Sequence, residues 1–336
     1  ETQPSGAITA SSLTASGSLG GLTLNGANNV GIARLSGGGG GGVSFNNVAA
    51  SYFLGGSGSN GLTVTGTGSV TVDQVLNFTS IDISADNGIT LAADLTSSGS
   101  LNLTTVNHQI DQSAGKITAI QTDVNAGSGD IALTSMTNNT LLVSLAGGHI
   151  TMQNSGQLIV TALTSGLDKN VFLQAGGALT LPEGAIDTGA GQLSLTNGSG
   201  SMTTPGALTG SDVLLNSQGD LILAHPVTSN GASTLTLSSG GTLSVQAAVE
   251  GHGINMDATT GIDILAPVHA TSGLTVTSNG ANNLMQVKKS VTSDGTMNLT
   301  LTGGLSVINN GILGVGMTAY TGQTIAAKFV EVLSSG

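Results

Sequence analysis

The stretch that decides the fold is residues 231–268, which read GASTLTLSSGGTLSVQAAVEGHGINMDATTGIDILAPV. Triplets in which two apolar residues flank a polar one recur in it, at 235–237, 243–245, 254–256 and 262–264. Two-residue alternation over so few positions predicts short strands with one buried face. Gly, Asn, Asp and Ser lie between the triplets and favour changes of chain direction. The stretch therefore predicts short strands joined by tight corners.

The same triplet returns along almost the whole chain, with a mean step of about 21 residues, which is typical of solenoids. Each repeat of a solenoid buries its apolar face only when neighbouring repeats stack on it. A second triplet usually follows the first after 8 residues, and a further aliphatic residue such as Val249 or Val268 precedes the next repeat. The first triplets begin at Leu22, Val43, Leu62, Ile81, Leu101, Ile131, Ile150, Val171, Leu193, Val213, Leu235, Ile254, Leu274 and Met297.

Three inward segments in each repeat predict a parallel β-helix with three walls, an all-β, single-stranded solenoid of about 14–15 coils of about 20 residues. We expect an N-terminal lead-in coil over residues 1–21, a continuous shaft over 22–307 and a C-terminal coil or strand over 308–336. One step, the 30 residues from Leu101 to Ile131, departs from the period. It predicts an insertion within residues 104–130.

Composition limits the function. The 336 residues carry 7% charged residues, a formal net charge of −12, no Cys and no Trp. The lack of Cys excludes disulfides and thiolate metal sites, and the acidic balance argues against a nucleic-acid partner. No apolar run is long enough for a transmembrane helix, so we expect no membrane insertion. The His and carboxylate residues are dispersed, and the glycine run at 37–42 is interpreted as a turn. We therefore expect no catalytic, metal-binding or cofactor-binding residues and no enzymatic activity.

Two other uses of a β-helix remain as alternatives. The first is a lyase-like or phage-tailspike-like protein that acts on polysaccharide, although a single Arg and two Tyr offer few groups for such a groove. The second is ice binding, which needs a regular outward array of Thr. The middle residues of the first triplets are instead mixed: Thr23, Ser44, Thr63, Asp82, Asn102, Ala132, Thr151, Phe172, Ser194, Leu214, Thr236, Asn255, Thr275 and Asn298.

Outward positions become apolar in the middle of the chain, and exposed apolar patches indicate a partner or a covering segment. We therefore predict a lateral contact surface formed by Leu142, Ile159, Phe172, Leu214 and Ile222.

Residues 328–333 predict one more strand near the C-terminus. The end of a β-helix presents unpaired backbone donors and acceptors, and head-to-tail contacts at such ends generate filaments. We predict an end-stacking strand that contains Phe329, Val330, Val332 and Leu333.

Units such as Gly177-Ala-Leu-Thr-Leu181, Gly191-Gln-Leu-Ser-Leu195 and Gly241-Thr-Leu-Ser-Val245 resemble the repeats of filamentous-haemagglutinin-type adhesins, and autotransporter passengers are similar. The resemblance covers about residues 22–307, but no Asn-Pro-Asn-Gly-like motif of the secretion domain is found. It implies a right-handed β-helical shaft, export by two-partner secretion and an extracellular place on a bacterial surface. The implied role is adhesion, biofilm matrix or a surface fibre. Its partners would be other copies, the rest of a longer adhesin, or a host or matrix glycan or protein.

Overall fold

The described residues of the computed structural model are 1–3, 6–279, 284–308, 313–315 and 324–333, with side chains up to residue 301 apart from that of Leu284. All the regular secondary structure in this part of the chain is β-strand, and the strands of successive coils pair in parallel. The prediction of an all-β parallel solenoid is confirmed, with about 14 coils. The chain divides into two units, Glu1–Gly166 and Leu167–Gly336.

The first unit contains sixteen strands. They are β1 Thr9–Gly17, β2 Leu22–Gly37, β3 Val43–Asn47, β4 Ser51–Gly58, β5 Leu62–Gly66, β6 Ser69–Phe78, β7 Ile81–Ala85, β8 Ile89–Leu91, β9 Leu95–Ser97, β10 Ser100–Thr105, β11 Ile110–Gln112, β12 Ile117–Asn125, β13 Ile131–Leu133, β14 Asn139–Gly147, β15 Ile150–Asn154 and β16 Leu158–Ser165.

The described part of the second unit contains the remaining strands. They are β17 Val171–Ala175, β18 Leu179–Thr180, β19 Ile186–Asp187, β20 Gln192–Asn197, β21 Met202–Thr203, β22 Leu208–Gly210, β23 Asp212–Ser217, β24 Leu221–Leu223, β25 Val227–Ser229, β26 Thr234–Ser239, β27 Thr242–Val245, β28 Val249–Ala258, β29 Gly261–Ile264, β30 Val268–Ser278, β31 Leu284–Val287, β32 Val291–Ser293, β33 Thr296–Ile308, β34 Leu313–Val315 and β35 Thr324–Leu333.

Each unit has three walls, and the inward residue of every wall stacks on its counterpart one coil away. In the second unit the third wall includes a row of four valines, Val227, Val249, Val268 and Val291, all 0% exposed. Burying one such side chain contributes about 1.5–3 kcal/mol relative to leaving it in water. The rows of aliphatic side chains therefore supply most of the free energy that stabilises each unit, because every coil buries its inward residues against those of the neighbouring coils.

The irregular step between Leu101 and Ile131 joins two different walls. Leu101 pairs in register with Thr122, whereas Ile131 pairs with Ile110, which in turn pairs with Ile89. Residues 104–130 thus span a coil of ordinary length, and the insertion expected within them is not found in this fully described segment. The error arose because the inward residue at the expected position is the polar Thr122, which hid the triplet.

The corners between walls are held by buried polar side chains. At several corners a side chain donates a hydrogen bond to the carbonyl three residues later, which satisfies the buried side-chain donor and closes the turn. These bonds measure 2.8–3.0 Å, and they join Ser97 to Ser100, Gln112 to Gly115, Asn154 to Gln157, Thr188 to Gly191, Asn197 to Gly200, Ser217 to Asp220 and Ser239 to Thr242.

A second set of side chains, which we call the corner asparagines, links neighbouring coils. Each is fully buried, and its Oδ1 accepts the backbone N–H of a residue in the preceding coil at 2.8–2.9 Å. The corner asparagines are Asn28, Asn47, Asn138, Asn154 and Asn197.

The glycine run forms a corner where coils approach closely, which agrees with its interpretation as a turn. Gly21 has φ 82, and a Cβ built on it would lie 2.6 Å from the carbonyl oxygen of Gly42. Any side chain there would separate the two coils, so glycine is required by both the backbone angle and the packing.

Candidate functional site

The outer face of the first unit carries a contiguous apolar stripe on neighbouring coils. Leu142 and Ile159, two residues of the predicted lateral surface, pair in register and are half-buried. Ile120 and Leu141 lie beside them and are 56% and 40% exposed. We call these four residues the apolar stripe. A contact surface at the stripe remains a prediction.

Ile120 and Leu141 were not predicted, although the sequence contains a signal for the second of them. Leu141 and Leu142 are adjacent, and in a strand only one of two neighbours faces inward. Both point outward, because the strand turns a corner at this point and places two successive residues outside. Ile120 lies at the equivalent corner of β12, where Gln121 is also exposed.

The other three residues of the predicted surface lie in the second unit and do not form one patch. Phe172 and Leu214 are on one wall but two coils apart, with Ser194 between them in register. Ile222 is on another wall, paired with Thr203. The outward orientation agrees with the prediction, since Leu214 is 38% exposed and the other two are half-buried. The five residues are thus distributed over three places.

The predicted end-stacking residues lie in β35, which pairs in parallel with β33. Phe329, Val330, Val332 and Leu333 are in register with Gly304, Leu305, Val307 and Ile308. Their side chains lie outside the described part of the chain. Stacking at this strand remains a prediction.

A polar groove of about 470 Å³ lies on the outer face of the first wall in the first unit. One row of its lining follows the strand register from Asp82 through Asn102 and Asp123 to Ser144. The Asp123 carboxylate accepts a hydrogen bond of 2.8 Å from Gln121 Nε2. Carboxylate, amide and hydroxyl groups at regular intervals can accept and donate hydrogen bonds to a polar, hydroxyl-rich ligand. The second row of the lining includes Thr104 and Asn125.

The histidines make separate local contacts. His225 Nδ1 lies 2.9 Å from the carbonyl oxygen of Thr204, and His269 Nε2 lies 3.5 Å from Asp294 Oδ2. Within the described ranges, no three His, Asp or Glu side chains converge as a metal site would require. The described residues also contain no helix that could cross a membrane.

The fold and these surfaces define the chain as a β-solenoid with a polar groove and an apolar stripe on its outer face. The chain matches no protein-family model, no curated protein and no solved structure.

Proposed function

We propose that the chain is a shaft segment of a non-enzymatic bacterial surface protein, either the stalk of an adhesin or a subunit of a self-assembling surface or biofilm fibre. The resemblance of its Gly-x-Leu-Thr-Leu units to adhesin repeats is the sequence support for this proposal. Under it, the protein is extracellular, and its partners are other copies of the chain, the rest of a longer adhesin, or a glycan or protein of the host or matrix.

The observation that carries the proposal is the uninterrupted stacking of inward residues within each unit. In the second wall of the first unit, Val70, Ile89, Ile110, Ile131 and Ile150 are paired in register and at most 1% exposed. A structure in which each repeat contacts only its neighbours can be extended without redesign, because stability is a sum over repeats and their interfaces. Such a structure suits a spacer whose length is set by the number of coils.

Electron microscopy of the purified chain over a concentration series tests the proposal. Filaments that lengthen with concentration would support the fibre subunit, with stacking through β35 as the predicted contact. Separate particles at every concentration would contradict self-assembly and favour a stalk segment. In the fibre case, Val330→Asp should shorten the filaments, because it places a charge in the predicted stacking strand.

A second candidate, action on a polysaccharide, is favoured by the polar groove. Asp82 and Asp123 lie two coils apart on one row, and strands about 4.8 Å apart place their α-carbons on the order of 10 Å from each other. Carboxyl groups about 6.5–9.5 Å apart leave room for a water molecule between acid and base in inverting glycosidases. Release of reducing ends from a polysaccharide panel, abolished in Asp123→Asn and retained in the control Asp263→Asn, would overturn the non-enzymatic assignment.

A further inference from the structure

One row of inward residues on each of the three walls of the first unit is interrupted by a polar residue at neighbouring coils. Gln112 follows Leu91 on the second wall, Thr122 follows Leu101 on the first, and Asn138 lies one coil after Ile117 on the third. The three polar residues are 6%, 0% and 0% exposed. We call residues 110–154 the polar-core coils.

Part of this buried polarity is satisfied. Gln112 Nε2 donates to Asn138 Oδ1 and Asn138 Nδ2 donates to Gln112 Oε1, both at 2.9 Å. Asn138 Oδ1 also accepts the N–H of Ile117 at 2.8 Å. The amide pair therefore holds the coils in register. It contributes less than an aliphatic pair would, because water satisfies the same amides in the unfolded chain.

Two hydroxyls of the same coils are not satisfied. Thr122 Oγ1 and Thr140 Oγ1 are buried and have no hydrogen-bond partner among the described protein atoms. Ala119, in register one coil after Ser97, has no hydroxyl and so cannot make the corner hydrogen bond that Ser97 makes to the Ser100 carbonyl. Buried donors without partners destabilise the closed state relative to any state in which water reaches them.

The outside of these coils has the opposite character. Ile120 and Leu141 of the apolar stripe are 56% and 40% exposed on the same strands that place Thr122 and Thr140 inside. The usual burial of apolar residues is partly reversed here, so the strands gain less from the hydrophobic effect than the aliphatic coils around them.

We infer that the polar-core coils are a built-in opening segment of the first unit. Strands β12 and β14 separate locally while the flanking coils keep their pairing. Local opening of a weak segment below the global unfolding free energy is a general property of folded chains, and repeat stacks allow it wherever a neighbour interface is poor. The opening exposes the unpaired backbone of β12 and β14 at one defined place. If the chain is a surface shaft, this is where tension would separate the coils first.

Hydrogen exchange measured by mass spectrometry on the intact chain tests the inference. The comparison is between protection factors of β12 and β14 and those of β5, β7 and β8, whose inward residues are aliphatic and at most 1% exposed. We expect protection in β12 and β14 to be at least about tenfold lower. The double variant Thr122→Val, Thr140→Val should raise protection in these two strands selectively, because valine has a similar shape and no hydroxyl to satisfy.

Thr63→Val provides the matched control, since Thr63 is exposed on the first wall in β5 and its hydroxyl faces solvent. This variant should leave protection in β12 and β14 unchanged. Equal protection in the two regions of the unsubstituted chain would overturn the inference. A double variant whose β12 and β14 exchange as fast as before, or no slower than in Thr63→Val, would overturn it as well.

Discussion

Removal of one corner asparagine should destabilise the first unit far more than removal of its neighbour on the same strand. Asn47 is 0% exposed, and its side chain makes a pair of hydrogen bonds with the backbone of Val30, one coil earlier. Val30 N–H donates to Asn47 Oδ1 at 2.9 Å, and Asn47 Nδ2 donates to the Val30 carbonyl at 2.9 Å. Asn47→Ala leaves both backbone groups buried without these partners.

The magnitude follows from the two groups that lose their partners. A buried donor or acceptor left unsatisfied costs about 1–3 kcal/mol, so the pair costs about 2–6 kcal/mol. Water that enters the vacated space would satisfy one of the two groups, and the expected loss is therefore about 1–3 kcal/mol. Asn46→Ala is the control, because Asn46 faces outward and makes weaker bonds of 3.2 Å to Gly26 and Thr65. We expect it to cost about 0.5 kcal/mol.

Two measurements check this prediction. Urea unfolding followed by circular dichroism should show a lower midpoint for Asn47→Ala than for Asn46→Ala, at similar slope. Hydrogen exchange should show faster exchange of the Val30 amide in the first variant alone, which separates the local cause from a general loss of stability. If the two variants unfold at the same urea concentration and Val30 remains protected, the side-chain hydrogen bonds of the corner asparagines do not stabilise the stack.

Three further predictions concern the same unit. Gly66→Ala should cost about 1–3 kcal/mol, because the new Cβ would lie 2.8 Å from the Tyr52 hydroxyl; an unchanged urea midpoint would show that the ring can move. Burial raises the pKa of Tyr52 above its usual value, so only the unfolded chain ionises it readily above about pH 10, and stability should fall as the pH rises through this range. In a Tyr320→Phe background, phenolate absorbance should appear only as the unit unfolds, and absorbance that precedes unfolding would contradict the burial. Arg34→Met removes a 2.7 Å ion pair to Asp73 and should cost about 1–2 kcal/mol, with a smaller difference in high salt if the pair acts through its charge.

The sequence could predict the candidate surfaces only in part. The outward orientation of Leu142 and Phe172 could be predicted, since it follows from two-residue alternation. The residues beside them in adjacent coils could not be predicted, because they depend on which wall each strand belongs to. The polar groove was missed for this reason, since the pairing of Asp82, Asn102 and Asp123 requires the correct register through the coil that contains Thr122.

The sequence by itself determined the parallel β-solenoid, the coil period and the division of each strand into inward and outward residues. These properties are local, because the alternation of aliphatic and polar residues between turn-forming corners is sufficient to specify them. The tertiary structure alone decided which wall each triplet joins. It placed Ile131 above Ile110 and Thr122 above Leu101, and it buried Asn47 and Asn138 between coils. The physical reason is that a polar inward residue is stable only when a neighbouring coil supplies its hydrogen-bond partner, and that partner lies about twenty residues away in the chain.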